Sequence, residues 1–127
     1  MERISLETAE AEIWLEENAI LWVRIREGAE MNGEAMANCF AVYKQLCGKK
    51  KVVQIIDSRA ACSMTKEGKK YSAVHSPQFF TAHAVITELL SVRMLVDVYN
   101  KMHKHSVPFQ VFRNEKDARS WLKQYMR

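Results

Sequence analysis

The sequence predicts one α/β domain: a single-layer mixed sheet of about five strands, opened by a hairpin and continued by β-α repeats, with about four helices packed on it. Three observations carry this. The chain begins with two segments that alternate apolar and polar residues across a two-residue gap. Beyond them, short β-branched runs take turns with stretches whose apolar residues recur every three or four positions, the pattern of parallel strands joined by helical crossovers. Finally, 127 residues of 48% apolar composition suffice for one hydrophobic core and not for two ordinary domains.

Each element has its own warrant. Ala11 to Glu16 and Ala19 to Arg26 read as the hairpin, with Asn18 in the turn. Ile13 and Leu15 share one face and Trp14 the other; Ile20 goes with Trp22, while Leu21, Val23 and Ile25 lie opposite. Leu6 is a candidate for an extra edge segment. Asn32 can cap a helix from about Gly33 to Cys47, whose buried stripe is Met36, Phe40, Tyr43 and Cys47 and whose stop is Gly48. Lys51 to Asp57 (KVVQIID) suits a strand covered on both faces, the centre of the sheet. A polar helix from near Thr65 to about His75 follows and ends at Pro77, and Thr81 to Thr87 is a short strand. Leu89 to about Lys104 gives the longest helix, with Val92, Leu95, Val96, Tyr99 and Met102 on one side. Pro108 precedes a strand at Phe109 to Phe112, and Asn114 caps a last helix in which Asp117 favours the positive end of the dipole. Ala118, Trp121, Leu122 and Tyr125 of that helix close the core.

Composition narrows the classes. No apolar run approaches the roughly 18 residues of a membrane-spanning helix, and Met1-Glu2-Arg3 lacks the basic and apolar regions of a signal peptide, so a soluble cytoplasmic protein is expected. No repeat, low-complexity tract or Pro/Gly-rich linker marks a domain boundary. Cys39, Cys47 and Cys62 form no CxxC pair and read as free, buried thiols rather than a zinc site or a disulfide framework. Charge is unevenly placed: nine glutamates against three arginines up to Glu34, then sixteen lysines and arginines against six acids from Ala35 onward. Such blocks neutralise one another within one fold, or serve an acidic partner or a second copy. Trp14 and Trp22 need not both point inward, which adds to the case for a homodimer.

The hairpin, the Asn-capped helix, VVQIID-S, the segment LLSVRMLVDVYNK and the ending PFQVFRNEKDARSWL together resemble the small bacterial proteins of the STAS/SpoIIAA-like group, akin also to the Sec14-type lipid-binding fold. The resemblance spans nearly the whole chain and implies a SpoIIAA-like fold and a regulatory, protein-binding role. In regulatory STAS domains the helix after the central strand begins with an Asp-Ser-Ser-Gly type motif whose serine is phosphorylated. Here Met64 and Gly68 fit that pattern, but Lys66 and Glu67 occupy the serine positions, which leaves Ser63 and Thr65 as the nearby hydroxyls. Their plainer role is helix capping.

The candidate sites follow. The helix start near Thr65, with Lys66, Lys69 and Lys70, is the best anion or acidic-partner site. Asp57 and Ser58 end the central strand, the edge where open α/β sheets place ligands, though Asp57 can equally cap the following turn. Phe79 and Phe80 either line an apolar or lipid-like ligand pocket or anchor a strand. His103-Lys104-His105 is a poor metal site that suits a helix C-terminus. His75 and His83 have no triad partners at motif spacing, and His83 reads as a core or interface residue. Lys49-Lys50-Lys51 lacks interleaved aromatics, so it reads as a solvated lead-in rather than a nucleic-acid site. The expected function is therefore a non-enzymatic regulatory domain that binds an unknown protein through Asp57, Ser58 and the Thr65 helix, without cofactor or metal. The alternative is a carrier or sensor of a small apolar ligand at Phe79-Phe80.

Overall fold

The computed structural model describes residues 5–17, 19–60, 62–88 and 107–126. The hairpin, β2 (Ala11–Glu16) and β3 (Ile20–Ile25), pairs in antiparallel register with Trp14 opposite Trp22. The segment around Leu6 forms a strand, β1 (Ser5–Glu7), on the outer edge of β2. After a two-residue strand, β4 (Glu30–Met31), the capped helix α1 occupies the predicted span, Gly33–Cys47. The Asn32 side chain accepts from the Ala35 N–H at 2.8 Å, and Gly48 ends the helix at φ 62°, where glycine carries no steric penalty.

The remaining strands run parallel to β3: β5 (Val52–Asp57), β7 (Phe80–Ile86) and β8 (Phe109–Phe112). The mixed sheet has six strands in the order β1-β2-β3-β5-β7-β8, so β3 and β5 lie at its centre. A short strand β6 (Ser63–Met64) and helix α2 (Lys66–His75) connect β5 to β7, and α3 (Glu115–Leu122) follows β8. Among the described residues there are thus three α-helices. The predicted helix from Leu89 to Lys104, the residue Asn18 and the His103-Lys104-His105 run lie outside those residues.

Two apolar layers sandwich the sheet. On one face α1 and Tyr71 of α2 pack against Ile13, Leu21, Val23, Val52 and Phe80. On the other, Ala118 and Leu122 of α3 meet Trp14, Trp22, Val53, Ile55, Ala82 and Ile86. The expected parity of every hairpin residue is observed. Both tryptophans are buried, their rings stacked with centroids 5.4 Å apart and planes 9° apart, so no exposed aromatic of the hairpin is left to support self-association. The guanidinium of Arg24 lies over Trp14 and that of Arg119 over Trp22, where the ring faces attract cations. No helix among the described residues is long and apolar enough to cross a membrane.

The expectation of about five strands was low. The edge strand β1 is a sixth, and β4 pairs in parallel with β6 in a separate two-residue ladder, Glu30 beside Ser63 and Met31 beside Met64.

Candidate functional site

Two arrangements form at the C-terminal end of the parallel strands. In the first, Asp57 closes β5 with its side chain buried, and Arg59 folds back over it: Nε donates to Oδ1 at 3.0 Å, Nη2 to Oδ2 at 2.8 Å, and the Arg59 backbone N–H to Oδ1 at 3.2 Å. Arg24 Nε is 3.7 Å from Oδ2. Burial pushes the Asp57 carboxyl up, but the Arg59 hydrogen bonds and the charges of Arg59 and Arg24 outweigh it and hold the group below its ordinary value. Ser58 turns its hydroxyl inward, donating to the Ile86 carbonyl at 3.2 Å. Beside Asp57 lies a cleft of about 420 Å³ lined by Glu12, Arg24, Arg26, Glu27 and Arg59 among others. Opposite charges line it in equal number, so it has no net preference for an anion.

The second arrangement is a ledge built by the β4–β6 ladder. The Ser63 N–H donates to the Ala29 carbonyl at 3.0 Å and the Thr65 N–H to that of Met31 at 3.1 Å, which ties the loop after β5 to the loop after β3. The Thr65 hydroxyl accepts from the Gly68 N–H at 3.1 Å, the capping role expected of it. Gly68 is buried against Met31, where a β-carbon would overlap the Met31 carbonyl. The starts of α1 and α2 are therefore held side by side. Outward from this base, Ser63, Lys66, Lys69 and Lys70 are exposed and Met64 is 40% exposed. None of the three lysines forms an ion pair among the described residues.

The two arrangements do not share one surface. Asp57 alternates with Val53 and Ile55 and so opens on the α3 side of the sheet, whereas α2 lies on the α1 side. The residues that sequence reasoning missed are Arg24, Arg59, Met31 and Glu30. Of these, only Arg59 carried a local signal, two positions after an Asx-type turn former.

The remaining candidates lie away from these two arrangements. Phe80 is buried among Tyr43, His83 and Phe40, with ring centroids 5.3, 5.0 and 6.5 Å away, and Phe79 sets its edge on Phe40. Neither lines the cleft beside Asp57 or a second one of about 510 Å³ between Glu88 and Asp117. His83 is a core histidine whose Nδ1 lies 2.6 Å from Gln54 Oε1, and His75 stacks on Tyr71. Lys49, Lys50 and Lys51 are exposed at the entry to β5. The three cysteines are unbridged, and burial pushes the thiols of Cys39 and Cys47 up to about 11.

Among solved structures the chain is similar to an uncharacterized protein from the DUF3478 family with a SpoIIAA-like fold, from Shewanella loihica PV-4. The TM-score is 0.62 at 15% identity, over 95% of this chain and 92% of that one. At that identity the likeness shows the fold, which is the SpoIIAA-like one the sequence resemblance implied. No curated protein matches the chain. A family model described as a domain of unknown function, DUF7793, matches residues 13–126, and the chain belongs to that family.

Proposed function

We propose that this domain is a non-enzymatic regulatory module that binds another protein through the ledge of β4, β6 and the start of α2. The observation that supports this most is Met64: a large apolar side chain, 40% exposed, on a backbone pinned by the ladder and adjoining three unpaired lysines. An exposed apolar side chain followed by exposed lysines, on a base held by the ladder, suits an acidic partner that contributes its own apolar contact. Val74, the other exposed large hydrophobic among the described residues, is on α2, the helix that carries the three lysines. Asp57 and Ser58 take a supporting role in this reading: clamped by Arg59 and Ile86, they fix the root of the loop that leads to β6.

The test compares two charge reversals of equal size. Lys66→Glu/Lys69→Glu/Lys70→Glu should lose the partner that the wild type captures, while Lys49→Glu/Lys50→Glu/Lys51→Glu should keep it. Retention by the first variant, or equal loss by both, contradicts the reading.

A further inference from the structure

The Ser63 and Thr65 N–H groups both turn toward β4, and along a strand successive residues turn their backbone groups to opposite edges. The N–H and C=O of Met64 therefore point to the other edge of β6, and no strand adjoins that edge among the described residues. Both side chains of β6 are exposed, so the strand is open on its two faces as well as along this edge. Folded proteins ordinarily guard such edges with a proline or a charge within the strand, and Ser63-Met64 has neither. A bare edge is a template for one more strand.

Charge stands beside the edge rather than in it. Lys66, Lys69 and Lys70 lie at positions i, i+3 and i+4 of α2 and share one face, opposite the inward-packed Gly68 and Tyr71. Glu67 falls to the side of that face and leans toward α1, its β-carbon 3.7 Å from where a side chain at Gly33 would begin. The first of the lysines is two residues beyond Met64. A flank of this kind favours an incoming segment that carries carboxylates over one that does not. We infer, building on the docking role proposed for the ledge, that the partner enters as an extended acidic segment that adds a strand to the open edge of β6. Its backbone exchanges hydrogen bonds with the Met64 N–H and C=O, an apolar side chain of the segment covers Met64, and its Asp or Glu residues reach the lysine face of α2.

Peptides selected from a random library of short sequences for binding to the purified domain test it. They should carry Asp or Glu beside apolar residues and should not bind Lys66→Glu/Lys69→Glu/Lys70→Glu. Methylating the backbone nitrogens of the tightest peptide one at a time should weaken it at alternate positions, because only every second amide of an added strand faces β6. Met64→Pro removes the outward N–H while sparing the bonds to β4, and should weaken the unmodified peptide about fivefold or more. Met64→Ala keeps that N–H and should bind better than Met64→Pro. Should Met64→Pro melt early, the methylated peptides decide. Full affinity for every methylated peptide, losses spaced three or four apart as along a helix, or equal binding by folded Met64→Pro and Met64→Ala overturns strand addition. The docking role survives that result if the peptides still need the three lysines, whereas peptides that ignore the lysine reversal overturn both. A wild type that dimerises by itself and is dispersed by Met64→Pro gives the edge to a second copy and also overturns the inference.

Discussion

Gly68 lies directly beneath the Met31 carbonyl, and no residue with a β-carbon fits between them. The contact joins the first turn of α2 to β4, two elements far apart in sequence. Alanine at a helical position ordinarily adds up to about 1 kcal/mol over glycine, but here the overlap is with backbone, which cannot rotate away. Gly68→Ala should therefore destabilise the domain by about 1–3 kcal/mol. Gly33→Ala, also in the first turn of a helix but with only ordinary contact to Glu67, should be neutral or stabilising. Paired thermal melts check the opposite signs.

The caps give a second prediction. Asn32, Thr65 and Asn114 each accept a hydrogen bond from an amide that the helix leaves without a partner. Replacing any of them by alanine should cost about 1 kcal/mol in denaturant unfolding, and Thr65→Ser should recover most of the loss.

Arg119 should resist replacement by lysine. Its guanidinium donates to both Glu16 oxygens at 2.7 and 2.8 Å and to Glu115 at 2.7 Å, and lies over Trp22. A lysine offers one point charge in place of that planar fork. The group is about a third exposed, so screening reduces the loss; Arg119→Lys should cost on the order of 1 kcal/mol and Arg119→Ala about 1–2.

Acid should act through Asp57. Its folded-state value is depressed, so its contribution is fully present above the unfolded value of about 3.9 and is lost as pH falls through the folded one. Unfolding midpoints between about pH 6 and pH 3 should fall less steeply for Asp57→Asn than for the wild type, with the variant already weaker at neutral pH. Equal slopes would remove Asp57 from the acid response.

The hairpin parity, the capped helix and the parallel strands were legible because each rests on a local pattern: alternation, an Asn before an apolar stripe, a β-branched run. The β4–β6 ladder was not, since two residues cannot display an alternation and their pairing is decided by the packing of α1 against α2. The division between Asp57 and the lysines was half legible. Parity places Asp57 with Val53 and Ile55, but nothing local says which face α2 covers. The strand begins at Phe80 rather than Thr81 because the Phe80 ring fills the space beneath α1. Sequence left open whether Phe79 and Phe80 line a pocket; in the fold both rings pack against Phe40 and Tyr43, contacts that no local pattern announces.

The central claim, that the ledge is where another protein docks, is tested most directly by placing a photoreactive residue at Met64 and, separately, at Lys50. Illumination in cells should give adducts with a heterologous protein from position 64 and none from position 50. No heterologous adduct at 64, or the same adducts from both positions, would contradict it.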